Sequence, residues 1–324
     1  MRVLVTGATG LVGNNVVRQL LERGDDVRVL VRDPSDRALA SLPIDVRQGG
    51  IEDRDAVVRA CEGVEAVVHA AGSVHIGWTG YDAQHTANVK GTQIVAESAR
   101  SANARLVHVS SVNALGLGTV DSPANEEGPL TGGIPCGYVL TKQEAERVVL
   151  TEVQAGLQAV IVNPGFMLGP WDWKPSSGKM LLGVAKRYTP AAPSGGCSVC
   201  DVRDVAAAIL TALRSGRSGQ RYILAGENLT YLELWARFRR ATGGAPPVIR
   251  MGPLVRWIAG AWGDLQAKLS GRESDVNSAA IRMSSQFHYY SSQRAMKELG
   301  YQSRPLDESI RDAWAWFQER GYVR

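Results

Sequence analysis

The sequence predicts an α/β protein: a doubly wound parallel sheet, with a smaller, helix-rich C-terminal domain. Three observations carry that prediction. A strand, a glycine-rich turn and a helix follow one another within residues 1 to 23, short apolar strands then alternate with helix-length segments, and helical periodicity dominates the last hundred or so residues.

Residues 1 to 13 read M-R-V-L-V-T-G-A-T-G-L-V-G. Arg2 to Thr6 is a β-branched run of one strand's length, Gly7, Gly10 and Gly13 follow as G-x-x-G-x-x-G, and Val16, Val17, Leu20 and Leu21 recur at helical intervals. A turn this tight needs a residue without Cβ at Gly7, a backbone passing close to a pyrophosphate needs another at Gly10, and Gly13 lets the helix sit close to the sheet. The helix N-terminus then offers unpaired N–H groups and a positive dipole end to phosphates. Placed between strand and helix, the triplet predicts a dinucleotide-binding Rossmann domain, with Thr9, Leu11 and Val12 of the turn counted in the cofactor site.

Composition sets outer bounds. The chain has 324 residues and a net charge of +4, with Lys and Arg scattered and no basic stripe, so no nucleic-acid partner is expected. No charged-then-apolar leader and no apolar run of about 20 residues is present, so the expectation is a cytoplasmic protein with no membrane partner. Four cysteines are too few for a disulfide framework. Cys197 and Cys200 form a C-x-x-C pair without a second pair, and no metal site is expected.

Val27 to Val31 reads as the second strand. The residue after such a strand meets the adenosine ribose, where a carboxylate suits NAD and a guanidinium suits the 2′-phosphate of NADP. Arg32 stands there, favouring NADP, while Asp33 beside it leaves NAD open. Ile44 to Gln48 is the third strand, and Asp53 after it either meets the adenine amino group or caps a helix. Ala66 to His69 is the fourth, ending in H-A-A-G, where Ala70, Ala71 and Gly72 let backbone pass close to a ligand. His69 and His75 have no carboxylate or serine partner in a motif and are read as structural or pocket-lining. Val74 to Tyr81 is too glycine-broken for a helix and is expected to line the substrate pocket, with His75 and Trp78 as candidates. A long helix follows from about Asp82 to Ala102, and its Asn88 either holds a backbone or water position behind the active site or faces solvent. Leu106 to Val109 is the fifth strand, running into Ser110 and Ser111. The roughly twenty-five unpatterned residues after it are expected to form a substrate loop.

Tyr138 and Lys142 stand four apart in Y-V-L-T-K-Q-E-A-E-R-V-V-L, a helical segment that puts both on one face. A phenol is a poor base at neutral pH, and a nearby ammonium stabilises its phenolate. A serine hydroxyl donated to a substrate carbonyl polarises it for hydride attack, and Ser111, with Ser110 as fallback, is the candidate.

These residues make the chain resemble the extended short-chain dehydrogenase/reductase family, which includes sugar-nucleotide epimerases and dihydroflavonol-reductase-like enzymes. The resemblance rests on T-G-A-T-G-L-V-G (6–13), H-A-A-G (69–72), N-V-K-G-T (88–92), V-S-S (109–111), Y-V-L-T-K (138–142), N-P-G-F-M-L-G-P (163–170) and D-V-R-D-V-A (201–206). It implies Ser111, Tyr138 and Lys142 as the catalytic set, Lys142 also holding the nicotinamide ribose, and Asn163 and Pro164 beside the nicotinamide. It further implies that the segment after the sixth strand (Gln158 to Asn163) builds the substrate site, with Phe166, Trp171, Trp173 and Lys174 as candidates. The family often dimerises through its two long helices, so a homodimer is possible.

Residues 1–170 are expected to form the dinucleotide-binding domain, with 199–226 returning to it through a strand at Val199 to Val202 and a helix, and 171–324 the substrate-binding domain. Thr230 to Arg240 reads as a capped helix, Pro253 to Leu269 as a core or lid helix rather than a membrane-surface one, and about Pro305 to Arg320 as the last helix. His288, Tyr289 and Tyr290 are read as structural. The leading expectation is an NADP(H)-dependent reductase or dehydrogenase acting on a small molecule. The alternatives are a sugar-nucleotide epimerase retaining NAD, in which Arg250, Arg256 and Arg282 serve a nucleotide-diphosphate pocket, and a non-catalytic NAD(P)-binding sensor.

Overall fold

Six strands, each followed by a crossover, open the chain: β1 (Arg2–Thr6), β2 (Asp26–Val31), β3 (Asp45–Gln48), β4 (Ala66–His69), β5 (Arg105–Val109) and β6 (Ala159–Pro164). Between them lie α1 (Leu11–Glu22), α2 (Arg54–Cys61), α3 (Tyr81–His85), a π-helical turn (Thr86–Lys90) that carries α3 on into α4 (Gly91–Ser101), and α5 (Gly137–Gln154). The computed structural model describes residues 1–323. Beyond β6 come β7 (Phe166–Leu168), α6 (Gly178–Lys186), β8 (Ala191–Ala192), β9 (Gly196–Asp201), α7 (Val202–Ser215) and β10 (Arg221–Leu224). β10 closes a seven-stranded sheet in the order β3-β2-β1-β4-β5-β6-β10, parallel at every pair. The strand order reverses at β1 and β4, which opens the crevice where such sheets bind dinucleotides.

A parallel sheet is covered on both faces, so its inner strands are largely apolar. Val3, Leu4 and Val5 of β1 are all fully buried: Val3 and Val5 face the core under α1 and α7, while Leu4 faces the opposite core under α2, α4 and α5. That alternation follows from the two-residue period of a strand.

The remaining elements are β11 (Glu227–Thr230), α8 (Tyr231–Thr242), β12 (Ile249–Arg250), α9 (Pro253–Ser270), α10 (Ser278–Met283), β13 (Phe287–His288), α11 (Gln293–Leu299) and α12 (Leu306–Glu319). β9 centres a second sheet, antiparallel to β11 and parallel to β7 and β13, and β8 pairs with β12. Here the structure corrects the sequence reading: the strand expected at Val199 to Val202 is β9, and it does not rejoin the main sheet. α7 and β10 do return. The misreading has a physical source, since β9 is buried on both faces, with Cys197 in the C-terminal core and Cys200 in the main one. The pair therefore points to opposite sides, and no cluster of metal-ligating side chains exists among the described residues.

α8 is capped as its sequence predicts: Thr230 Oγ accepts from the Glu233 N–H, and the Glu233 carboxylate accepts from the Thr230 N–H. α9 forms over the expected residues but is not a core helix, because only Gly260 and Gly263 of it are buried. No helix among the described residues is long and apolar enough to cross a membrane.

Candidate active site

The glycine turn shows why each glycine is needed. Gly7 has φ +73°, and a Cβ there would lie 2.5 Å from Ala71 N. A Cβ on Gly13 would collide with the Gly7 carbonyl, so Gly13 serves the turn itself. A Cβ on Gly10 would meet only Gly7 O, at 3.4 Å, and otherwise points into open space. α1 starts there with no side-chain cap and no acidic residue in its first turn, and the N–H groups of Leu11, Val12 and Gly13 take no acceptor from the described residues. Open space, bare N–H groups and a positive helix end fit a dinucleotide pyrophosphate.

Just beyond β2, Asp33 is already engaged, accepting from Ser35 N–H at 2.9 Å and Ser35 Oγ at 2.6 Å. Those two donors hold its carboxyl below the usual range. The exposed Arg32 guanidinium has no partner among the described residues. Asp53 is the N-cap of α2, accepting from Ala56 N–H at 3.1 Å, so the capping reading holds in this structure.

Ser111 leaves β5 at the edge of the same crevice, and Tyr138 and Lys142 face it from α5. All three are buried. Burial pushes the Tyr138 phenol up, and the Ser111 hydroxyl beside it pulls the other way. Burial takes the Lys142 ammonium down to about 8, opposed by the charge of Glu146. Lys142 Nζ donates to Val109 O at 3.1 Å. Burial outweighs the lowering of the Tyr138 pKa expected from the sequence. Gly72 lies directly above, where a Cβ would come within 3.1 Å of Asn88 Oδ1 and 3.5 Å of Lys142 Nζ.

A second layer holds this set. Asn88, in the π-helical turn, accepts from Ser73 N–H at 2.7 Å and donates to Ser73 O and Thr141 Oγ, each at 3.0 Å. It therefore fixes the H-A-A-G loop to α5, the backbone-holding reading rather than the solvent-facing one. His69 bridges Thr6 Oγ at 2.7 Å and Thr92 Oγ at 3.0 Å, and burial lowers its pKa to about 3, so it is a neutral structural group. Asn163 donates to Ser111 O at 3.0 Å and to Glu146 Oε1 at 2.6 Å, and the other Glu146 oxygen accepts from Arg221 Nε at 2.6 Å. Ser111 is thereby tied through Asn163 and Glu146 to Arg221 on β10. The sequence reading missed Glu146, Arg221 and Thr141. Only Glu146 left a signal, standing four residues beyond Lys142 as Lys142 does beyond Tyr138.

Pro164 ends β6 in register with Leu224, and Phe166 is half-buried on β7. His75 and Trp78 lie in a loop clasped by Glu273, another residue missed: its carboxylate accepts from His75 Nε2 at 2.9 Å, Trp78 N–H at 3.0 Å, and Thr79 N–H and Oγ at 3.0 and 2.6 Å. Four donors hold that carboxyl down to about 2. Trp171 stacks on the Arg18 guanidinium at 3.3 Å and packs edge-on against Trp316. Lys174 pairs with Asp36 at 2.6 Å. Arg256 and Arg282 line a groove of about 480 Å³ between α9 and α10, and Arg250 does not.

Fold and site together define an enzyme built on a dinucleotide-binding sheet. The model of the NAD dependent epimerase/dehydratase family matches residues 3–225. A Synechocystis protein provisionally named dihydroflavonol 4-reductase is 36% identical, over 99% of this chain and 95% of its own. Sterol demethylase protein B of Methylococcus capsulatus is 35% identical over 100% of both chains. The solved structure of gox2253 is 35% identical, with a TM-score of 0.85 and 99% of each chain covered. This chain belongs to the NAD dependent epimerase/dehydratase family and is an oxidoreductase of it.

Proposed function

We propose that the protein is an NADP(H)-dependent reductase or dehydrogenase, moving a hydride between the nicotinamide and a carbonyl or secondary alcohol on a small molecule. The observation that carries this reading is the buried Ser111, Tyr138 and Lys142 set below Gly72, one strand from an uncapped helix N-terminus. When bound, the dinucleotide supplies or accepts the hydride. Ser111 Oγ donates to the substrate oxygen and polarises it. A phenol raised by burial stays protonated at neutral pH, which suits Tyr138 to donate its proton to a developing alkoxide. Lys142, with Asn163 and Pro164 near it, holds the nicotinamide half. Arg32 faces the 2′-phosphate, and the engagement of Asp33 by Ser35 supports NADP over NAD.

The test begins with release of any dinucleotide from purified protein by denaturation, then NADPH and NADH titration of the emptied protein. An empty site that prefers NADPH is expected. Tyr138→Phe is expected to abolish turnover and keep NADPH binding, and unchanged turnover would remove the mechanism. The groove containing Arg256 and Arg282 favours one second reading, the epimerase with a nucleotide-diphosphate pocket there. Near-stoichiometric retained NAD would select it.

A further inference from the structure

α9 is oriented the wrong way round for a helix of a free-standing globule. At about 100° per residue, Leu254, Trp257, Ile258, Trp262, Leu265 and Leu269 fall within an arc of about 140°. All six are exposed, Trp257 at 72%, Trp262 at 61% and Leu269 at 80%. The opposite, small-residue face meets the protein: a Cβ on Gly260 would lie 3.1 Å from Ser278 Cα, and one on Gly263 would strike the Val276 carbonyl. Asp264 accepts from Ser278 N–H at 3.0 Å and Arg256 donates to Ser194 Oγ at 2.8 Å, so these charges also point inward. The glycine seats fix the rotation of the helix, and its apolar face cannot turn in.

The charge around this face is positive. Lys268, Arg272 and Arg282 are exposed and form no ion pair among the described residues. Of the nearby acids, Asp275 pairs with Lys179 at 3.5 Å, and Glu273 and Asp264 are outnumbered by Arg256, Lys268, Arg272 and Arg282. A second copy of the chain is a poor occupant. Two copies of this cationic face would approach each other with like charge.

We infer that α9 is a membrane-surface helix, seated in the headgroup region of an anionic bilayer. Apolar residues with two tryptophans on one face, and cations at its edge, match what such a surface holds. This differs from the absence of a membrane partner expected from the sequence, and it is independent of the reaction. α10, against which α9 is seated, packs Ala279 and Met283 on Tyr138 and Val139, so the bilayer would lie beside the mouth of the site.

The test is flotation of the purified full chain with vesicles of phosphatidylcholine alone and of phosphatidylcholine with phosphatidylglycerol, alongside light scattering to count subunits. The wild type is expected to float with the anionic vesicles, and added salt to weaken it. Trp257→Glu with Trp262→Glu should lose at least about tenfold in vesicle binding, and Lys268→Glu with Arg272→Glu should lose binding to anionic vesicles most. Unchanged circular dichroism and NADPH binding would show that both variants are folded. A wild type that stays unbound from both vesicles overturns the inference. So does a dimer that the tryptophan variant dissolves without any vesicle binding, which would give the face to a second copy.

Discussion

Glu146→Gln tests whether the charge behind Lys142, the lysine of the proposed catalytic set, is part of the machinery. Glu146 is 1% exposed and accepts 2.6 Å hydrogen bonds from Asn163 and Arg221. Glutamine keeps the shape and one acceptor, but turns its amide donor toward the Arg221 guanidinium. Breaking one side of a buried ion pair costs about 3–5 kcal/mol, reduced here because the Arg221 side chain is 24% exposed. A loss of roughly 2–3 kcal/mol follows, and the melting temperature should fall by several degrees.

The second effect is on Lys142. Its folded pKa of about 8 lies below the ordinary 10.5, so its ammonium costs stability below pH 8, and that cost is relieved as pH rises from there toward 10.5. By linkage this cost is roughly 3 kcal/mol at pH 7. Side chains four apart on a helix lie about 6 Å from each other, and at an effective dielectric near 20 the Glu146 charge contributes up to about 3 kcal/mol toward keeping Lys142 protonated. Removing it should take the Lys142 pKa further down from about 8. The alkaline limb of kcat/KM against pH, where Lys142 loses its proton in the free enzyme, should move down with it. Adding Arg221→Met separates the effects: with both partners of the pair neutral, stability should recover, while the shifted pH profile should remain. A single variant with wild-type melting and an unmoved profile would refute the coupling of Glu146 to Lys142.

Gly7→Ala should lower stability by at least about 2 kcal/mol, from the positive φ and the approach to Ala71 N, and weaken dinucleotide binding more than tenfold in a fluorescence titration. Arg32→Asp should weaken NADPH binding and leave NADH binding nearly unchanged. Equal losses for both cofactors would instead give Arg32 a role outside the 2′-phosphate site.

The parts of the fold that were legible in the sequence are those whose cause is local. β4 is the predicted strand, and β2, β5 and β6 differ from prediction by one residue at one or both ends, because a strand buried on both faces is a short, largely apolar and β-branched run. Tyr138 and Lys142 were legible because helical spacing puts them on one face of a helix that follows a strand-end serine pair. Glu146 shares that spacing, yet Glu144 two residues earlier is just as ordinary a helical glutamate, and only the fold shows it at the surface near His85 while Glu146 is sealed against Asn163. Arg221 and Glu273 had no local cause to read, since their partners lie 75 residues and nearly 200 residues away in the chain.

α9 shows the same limit in another form. Periodicity divides a helix into two faces and ranks them by polarity, but it carries no sign for which face meets the protein. The usual assumption, that the apolar face turns inward, holds when the protein is the only apolar phase available. In α9 the sign was written elsewhere, in Gly260 and Gly263 on the opposite side, where removing two side chains lets the backbone of residues 276 to 278 close on the helix. Glycines cost helix stability, about 1 kcal/mol each against alanine, and two on one face of an 18-residue helix mark the face where another backbone approaches. Read that way, the small residues identify the docked face, and the tryptophans identify what is left for a second apolar phase.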